Sequence, residues 1–389
     1  MEADVPCHEQ SSTETENADA EPQHEEHKVS LLTEGLDHLL PLNLVRSPNA
    51  PTDFPARGEG PLPPDLPGNF VADRLQHVNA HTRDVNLRFD ETTHTYFWKT
   101  RRVRESVTQV IHGYAAGFDA DKTLQNMMEG AHWPRAGYLS ITPPPDVRDK
   151  IGQLARGPRI LAMLEQSDQD DGELDRELQE ALQQAGPPHA AALRALAMPS
   201  DDVKRKWEAA RDKAAKEGTW MHAQFECLLN GGTVKAMTPE ISLLFKFLDS
   251  VRHATAYRTE WKIYADDIDV AGSIDLVLQQ ADGSLALVDW KRSSRIASRG
   301  EHFNRYMKPP LQHLGDSSLT HYHLQINMYR WILQRHYRKI VTEMYIVGTH
   351  PDNGQEPWVQ QVELLDKEIA DLVKDRSRVH DNVRDEHTD

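Results

Sequence analysis

Asp289 and Lys291, in the run LVDWKR, have the residue types and the spacing to act together on a phosphate ester. If this run is a β-strand, two residues that are two apart leave the same face, so the carboxylate and the ammonium project together. Leu285 and Leu287 precede them with the same alternation. Taken alone, an Asp-x-Lys pair is more often a surface pair on an edge strand.

A second carboxylate, Asp275, lies on the strand before this one. The connection ADG favours a three-residue hairpin with Gly283 in the left-handed conformation. Residue 280 would then pair with 284, which sets Asp275 opposite Asp289. A two-residue turn would shift the pairing by one and point the two carboxylates to opposite faces. The sequence therefore makes a sharp prediction about register.

Two adjacent carboxylates repel each other unless a cation lies between them, and hard oxygen ligands suit Mg²⁺ or Mn²⁺. Such an ion binds a phosphate oxygen and lowers the pKa of a bound water, and a lysine beside it stabilises the developing charge. This combination is the chemistry of phosphodiester hydrolysis.

Two helical segments carry further polar candidates. Gly218, His222 and Glu226 are spaced four apart and share one face of a predicted helix. His222 is either a further metal ligand or a core histidine, and a mid-helix glycine suggests close approach by another backbone or by substrate. Gln325 and Tyr329 have the same spacing, which also fits a buried amide beside a core tyrosine.

These segments, taken in order, carry a family resemblance. The series GTxxHxxxE (218 to 226), Glu-Trp (260 to 261), GSID (272 to 275), DWK (289 to 291) and QxxxY (325 to 329) resembles the RecB-type, exonuclease-like branch of the PD-(D/E)XK nuclease superfamily. The resemblance covers about residues 85 to 365. Nuclease-like proteins of large DNA viruses and their eukaryotic counterparts are the expected nearest relatives.

The resemblance implies a Mg²⁺- or Mn²⁺-dependent deoxyribonuclease, an exonuclease or a structure-directed nuclease of DNA replication, recombination or repair. It implies that His222, Asp275 and Asp289 hold the metal and that Lys291 assists the attack. Glu226, Gln325 and Tyr329 would support the site, the last two also contacting the DNA backbone. An iron–sulfur cluster, found in some members of the branch, is excluded because the chain has only Cys7 and Cys227.

Basic residues follow the Asp-x-Lys pair and are candidates for phosphate contacts: Arg292, Arg295, Arg299, Arg305 and Lys308. A second group, Arg101, Arg102 and Arg104, lies near the predicted first hairpin, although a run of charges is usually a solvated face. Neither group contains a base-reading motif, so we expect recognition of DNA ends, single strands or junctions.

The elements that must position these residues are predicted from periodicity. A hairpin and a helix capped by Ser106 open the folded part, and a long helix begins near Ser200. Its predicted apolar stripe is Val203, Trp207, Ala210, Ala214, Met221, Phe225 and Leu228. A three-strand meander, a helix and a further strand follow, which indicates an α/β fold: a restriction-endonuclease-like core with a mixed central β-sheet flanked by helices.

Composition divides the chain into four expected parts. Residues 1–80 hold 15 acidic and 4 basic residues and eight prolines between Pro41 and Pro67, which is typical of a disordered acidic tail. Residues 81–142 carry the hairpin and helix, residues 143–197 read as a helical insertion, and residues 198–380 form the nuclease core. The tail is a possible binding site for a protein partner.

Composition also excludes several function classes. No apolar run is long enough for a membrane helix, and the first residues lack the features of a secretion signal. A mitochondrial transit peptide is rich in arginine and poor in acidic residues, so the acidic tail argues against mitochondrial targeting. We therefore expect an intracellular protein of the nucleus or cytoplasm. Two alternatives stay open: an inactive nuclease-fold protein that binds nucleic acid, and an interaction protein with an accidental Asp-x-Lys.

Overall fold

The computed structural model describes residues 73–166, 170–232, 234, 238–294, 296 and 305–385. Most of the expected tail, residues 1–72, lies outside this range. Eleven helices are described: α1 Arg74–Val78, α2 Val107–Tyr114, α3 Ala120–Glu129, α4 Pro145–Gly152, α5 Gly157–Leu164, α6 Asp171–Gln184, α7 Pro187–Arg194, α8 Ser200–Leu229, α9 Pro239–Ser250, α10 Ser318–His336 and α11 Asp366–Asp385.

Nine strands are described in two sheets: β1 Leu87–Asp90, β2 Thr95–Trp98, β3 Arg101–Arg102, β4 Glu105–Ser106, β5 Thr255–Ala265, β6 Val270–Gln279, β7 Leu285–Lys291, β8 Val341–Gly348 and β9 Trp358–Gln361. The first three form a small antiparallel sheet. The other six form the central sheet, in which β7 and β8 are parallel whereas β5, β6 and β7 form an antiparallel meander. The predicted mixed α/β architecture is confirmed.

Local sequence explains how the chain enters this sheet. Ser106 accepts a hydrogen bond from the backbone N–H of Gln109, whose side chain accepts one from Ser106 N–H. This capping box starts α2 where it was predicted. The hairpin of β1 and β2 precedes it, also as predicted.

Both faces of the central sheet are covered by helices. One apolar cluster packs α2, α10 and α11 against one face and includes Trp261, Leu287 and Ile332. A second cluster packs α8 and α9 against the other face and includes Phe225 and Trp290. The meander is therefore held rigidly between two layers, which fixes the side chains that leave its ends.

Helices α4 to α7 form a third, separate apolar cluster, which we call the helical lobe (residues 136–196). Its buried residues are Ala136, Leu139, Val147, Ile151, Ile160, Leu161, Met163, Leu164, Leu174, Leu178, Ala181, Ala192, Leu193 and Leu196. Helix α8 follows the lobe directly and runs from it to the central sheet.

The predicted apolar stripe of α8 is only half right. Val203 is buried at the lobe end, and Met221 and Phe225 are buried at the sheet end, but Ala210 and Ala214 are exposed. Residues 208–216 form an exposed bridge between two packed ends. Alanine tolerates either environment, so periodicity that rests on alanine does not establish burial.

None of the described helices is both long enough and apolar enough to cross a membrane.

Candidate active site

The hairpin of β6 and β7 has the predicted register. The backbone N–H of Gln280 donates to the carbonyl of Ser284 at 2.8 Å, and Gly283 adopts φ +84° in the three-residue turn. The ladder runs from Gln279 opposite Leu285 to Leu276 opposite Val288. The next pair in this register is 275 and 289, so the prediction is confirmed and the two carboxylates leave the same face.

Asp275 is anchored within this hairpin. Its Oδ2 accepts a hydrogen bond from the backbone N–H of Trp290 at 2.8 Å. The side chain is 11 % exposed. One carboxylate oxygen is therefore fixed by the neighbouring strand, and Oδ1 points toward α8.

Glu260, on β5, is the third carboxylate of this row. Its neighbours Thr259 and Trp261 pair with Leu276 and Ile274, which sets Glu260 opposite Asp275. Its φ of +42° is rare for a residue with a side chain and is typical of strained functional positions. Ser273 Oγ donates to Glu260 Oε2 at 2.9 Å.

The sequence identified Glu260 only as part of the Glu-Trp motif, not as a metal ligand. Next to the turn between β5 and β6, Ala265 pairs with Val270. Five residues away from the turn, this register sets 260 on β5 opposite 275 on β6. That count was available from the sequence. The positive φ that aims the side chain was not.

His222 reaches the carboxylate row from α8. Its Nδ1 lies 3.4 Å from Glu260 Oε1 and 3.7 Å from Asp275 Oδ1. One ligand atom from each of the three residues lies within 4.8 Å of the other two. Two carboxylates and an imidazole are a donor set that divalent cations accept, so these residues fit a metal ion.

Asp289 lies beside this cluster but faces another group. Its Oδ2 forms an ion pair with Lys291 Nζ at 2.7 Å, and its Oδ1 accepts a hydrogen bond from Gln325 Nε2 at 3.2 Å. The carboxylate is 3 % exposed and the ammonium 19 %. In this structure the cluster of three donors therefore contains Glu260, not Asp289, beside His222 and Asp275.

Helix α10 lies behind this ion pair. Lys291 Nζ lies 4.5 Å from the ring centroid of Tyr322, and Gln325 Nε2 donates to Tyr329 Oη at 3.0 Å. Tyr329 is 4 % exposed, so it fixes Gln325 from within the core and has no surface for DNA. Its ring also explains Gly272, because a Cβ there would lie 2.5 Å from Tyr329 Cε1.

The charges of the site are out of balance. Burial alone would lower the pKa of His222, but the Asp275 and Glu260 carboxylates raise it to about 9. Burial raises the pKa of Asp275 to about 7, with Asp289 and Glu260 adding to the shift. At neutral pH the cluster therefore keeps protons that reduce the repulsion between its carboxylates. A bound cation would reduce the same repulsion.

Glu226 lies one turn after His222 on α8. Burial and the nearby Glu260 raise the pKa of Glu226 to about 8. It belongs to the same acidic environment, but it is not among the three donors that lie close together. Gly218, one turn before His222, has no atom of another described segment within 4 Å of an added Cβ. Within the described part of the chain, no approaching backbone accounts for that glycine.

The residues predicted to contact phosphate differ in their burial and in their partners. Arg292 is 5 % exposed and forms ion pairs with Glu217 and with the buried Glu240. It joins α8, α9 and the end of β7 and does not present its guanidinium to solvent, which corrects the expectation of a DNA contact. Arg295 and Arg299 lie outside the described residues.

The remaining basic candidates lie away from the carboxylate row. Arg305 pairs with Asp316, and Lys308 Nζ donates to the carbonyl of Gly113. Arg101 pairs with Asp269, whereas Arg102 is exposed.

Comparison with known proteins gives one match. A family model described as the PD-(D/E)XK nuclease superfamily matches residues 146–389, more than half of the chain. The match includes most of the segment 143–197, which the sequence suggested as an insertion. A search of curated proteins gives no significant match.

Proposed function

Because the chain belongs to the PD-(D/E)XK nuclease superfamily, we propose that it is a Mg²⁺- or Mn²⁺-dependent deoxyribonuclease of the RecB-type branch. The observation that carries the proposal is the convergence of His222, Glu260 and Asp275 beside the Asp289–Lys291 pair. The superfamily implies a nucleic-acid substrate. DNA, the choice of metal and a role in replication, recombination or repair are our proposal.

His222, Glu260 and Asp275 would hold the metal ion, with Asp289 as the adjoining carboxylate. When bound, such an ion polarises a phosphate oxygen and lowers the pKa of a bound water. Asp275 keeps its orientation through the Trp290 N–H, and Glu260 through Ser273. The strands therefore preorganise the ligands, which reduces the reorganisation needed when substrate binds.

Lys291 supplies the positive charge next to the reacting phosphate. Burial would lower the pKa of this lysine, but Asp289 and Asp275 raise it above its ordinary value, so the ammonium keeps its proton at neutral pH. It stabilises negative charge on the attacking and phosphoryl oxygens. Gln325 keeps Asp289 turned toward this lysine, and Tyr329 keeps Gln325 in place.

The test is cleavage of end-labelled single-stranded, linear duplex and closed circular DNA with Mg²⁺, with Mn²⁺ or with EDTA. Lys291→Ala should slow cleavage by about 100- to 1,000-fold, because one preorganised donor to the transition state is lost. Lys367→Ala is the matched control, since this exposed lysine lies on α11 and pairs with Asp371 one turn later. It should cleave like the wild type.

The pattern of products decides the finer assignment. Metal-dependent loss of linear DNA alone would establish an end-dependent exonuclease, and nicking of circles would indicate an endonuclease. Equal cleavage by wild type and Lys291→Ala would contradict the proposal. Absence of metal-dependent cleavage with DNA binding retained would favour the inactive binding protein instead.

The proposal also concerns place and partners. A deoxyribonuclease of this kind would act inside the cell, in the nucleus or the cytoplasm. Residues 1–80 would recruit a protein partner, and the division into tail, opening hairpin and helix (81–142), helical insertion (143–197) and core (198–380) remains our proposed organisation.

A further inference from the structure

Four aromatic side chains from distant parts of the sequence meet where α8 leaves the helical lobe. We call Phe118, Trp133, Tyr138 and Trp207 the aromatic cluster. The ring centroids of Phe118 and Trp207 are 6.0 Å apart, those of Tyr138 and Trp207 are 6.4 Å apart, and those of Trp133 and Tyr138 are 6.0 Å apart. None of these residues belongs to the site described above.

The aromatic cluster is fixed in place yet open to solvent. Trp207 Nε1 donates a hydrogen bond to Tyr138 Oη at 3.0 Å, which sets the relative orientation of the two rings. Phe118 is 66 % exposed, and its ring plane is inclined by 68° to that of Trp207, so most of the Phe118 ring is open to solvent. An exposed phenylalanine held against a fixed tryptophan contributes little to a core.

Two cations lie over the Tyr138 ring, beside Phe118 and Trp207. The guanidinium of Arg135 lies 5.1 Å from the centroid of Tyr138, and Lys206 Nζ lies 5.6 Å from it. Both side chains are exposed. The nearby acid Asp121 is paired with Lys204, and Asp119 caps α3 through the N–H of Lys122. The open rings are thus bordered by positive charge.

Helix α8 connects the aromatic cluster to the carboxylate row. Trp207 and His222 are 15 residues apart on it, which corresponds to about 22 Å at 1.5 Å per residue. The residues between them include Lys213 and Lys216, both exposed and without an ion pair among the described residues. Near His222, no other described segment covers the helix surface at Gly218.

We propose that Phe118, held in place by Trp207 and Tyr138, forms a base-stacking platform that binds single-stranded DNA and directs its backbone along α8 toward His222. The inference rests on the proposed nuclease function and deepens it by naming the substrate form. Flat aromatic faces bordered by cations fit exposed bases and their phosphates. A duplex keeps its bases stacked inside, so it offers the rings no face.

The experiment measures binding of a fluorescently labelled 20-nucleotide oligothymidine in EDTA, where no metal-dependent cleavage occurs. Phe118→Ala should weaken binding by about tenfold, because a base loses its stacking partner. Phe118→Trp should restore most of the affinity. Ile340→Ala is the matched control, since Ile340 is 71 % exposed and lies at the start of β8, the opposite end of the sheet from the site.

Binding of a closed circular duplex, which has neither unpaired loop bases nor ends, provides the contrast. The affinity for this duplex should change less than twofold in Phe118→Ala, because the duplex would be bound only by electrostatic attraction to its phosphates. Unchanged oligothymidine binding in Phe118→Ala, or an equal loss for duplex and single strand, would overturn the platform. Equal melting temperatures for wild type and Phe118→Ala would show that the loss does not come from unfolding.

Lys291→Ala separates the two proposals. This variant should lose cleavage, whereas Phe118→Ala should lose affinity for oligothymidine. If wild-type protein cleaves nothing but Phe118→Ala still loses binding to single strands, the platform stands and the proposed activity fails. If Lys291→Ala loses cleavage but Phe118→Ala binds normally, the activity stands and the platform fails.

Discussion

Arg258 and Glu260, two positions apart on strand β5, lie in opposite kinds of environment. Arg258 is 2 % exposed and pairs with Asp84, whose carboxylate accepts hydrogen bonds from Arg258 Nη1 at 2.8 Å, from His81 N–H at 2.8 Å and from Trp261 Nε1 at 3.1 Å. Every charge there has a partner. We call this group the Asp84 anchor, because it fastens the segment before β1 to the central sheet.

Glu260 enters a group in which carboxylates outnumber cations. Among the described residues, His222 is the cation that pairs with both Glu260 and Asp275, and Lys291 is already engaged by Asp289. Folding alone leaves this group short of positive charge. A buried group with balanced charges therefore stabilises the fold, whereas a group with unbalanced charges marks the place where a ligand completes the charge.

The largest expected effect is on the Asp84 anchor. Asp84→Asn should lower the free energy of unfolding by about 3–5 kcal/mol, because Arg258 would remain buried without a counter-ion. Denaturant unfolding followed by circular dichroism measures this loss. Asp371→Asn, which changes an exposed aspartate on α11, is the control and should cost less than about 0.5 kcal/mol. A loss no larger in Asp84→Asn would remove the distinction between the two groups.

Next in size is the effect of metal. Mn²⁺ at about 100 times its dissociation constant should stabilise the wild type by about 2.7 kcal/mol, because it binds the folded state only. Glu260→Gln should lose most of this gain, since a charged ligand is removed from the cluster. Melting temperatures with and without MnCl₂ measure it, and Asp371→Asn should keep the wild-type shift. An undiminished shift in Glu260→Gln would show that Glu260 is not a ligand.

A smaller effect, of about 1.4 kcal/mol per pH unit for each displaced proton, is expected for the pH dependence of Mn²⁺ binding. The raised pKa values, about 9 for His222 and about 7 for Asp275, mean that both groups hold protons near neutrality. A metal must displace these protons, so affinity should rise as pH increases from 6 to 8. Titration calorimetry would show this rise, and an affinity that is flat over this range would contradict it.

The sequence predicted the half of the site that rests on regular geometry. The alternation of β7 and the Gly283 turn placed Asp275, Asp289 and Lys291 on one face, and these features depend only on local periodicity and turn length. The same holds for the capping box at Ser106 and the mixed sheet. The family resemblance, and not the i, i+4 spacing on α8 and α10, assigned His222 and Gln325 to the same site.

The other half depends on contacts between distant segments. Arg292 was predicted to contact DNA, but its partners Glu217 and Glu240 lie 75 and 52 residues away in the sequence. The exposure of the middle of α8 and the hydrogen bond between Gln325 and Asp289 likewise depend on how distant segments pack together. Charge and periodicity identify candidates, whereas tertiary pairing decides which charges are used by the fold and which remain for a ligand.

The smallest expected effect completes the comparison with Asp84. Asp275→Asn should change the free energy of unfolding in EDTA by no more than about 0.5 kcal/mol, although Asp275 is nearly as buried as Asp84. The asparagine oxygen can still accept from Trp290 N–H, and the loss of attraction to His222 is offset by relief of repulsion from Glu260 and Asp289. The same denaturant unfolding used for Asp84→Asn measures it. A loss of about 3 kcal/mol would mean that Asp275 stabilises the fold as Asp84 does, and the charge imbalance would no longer distinguish the site.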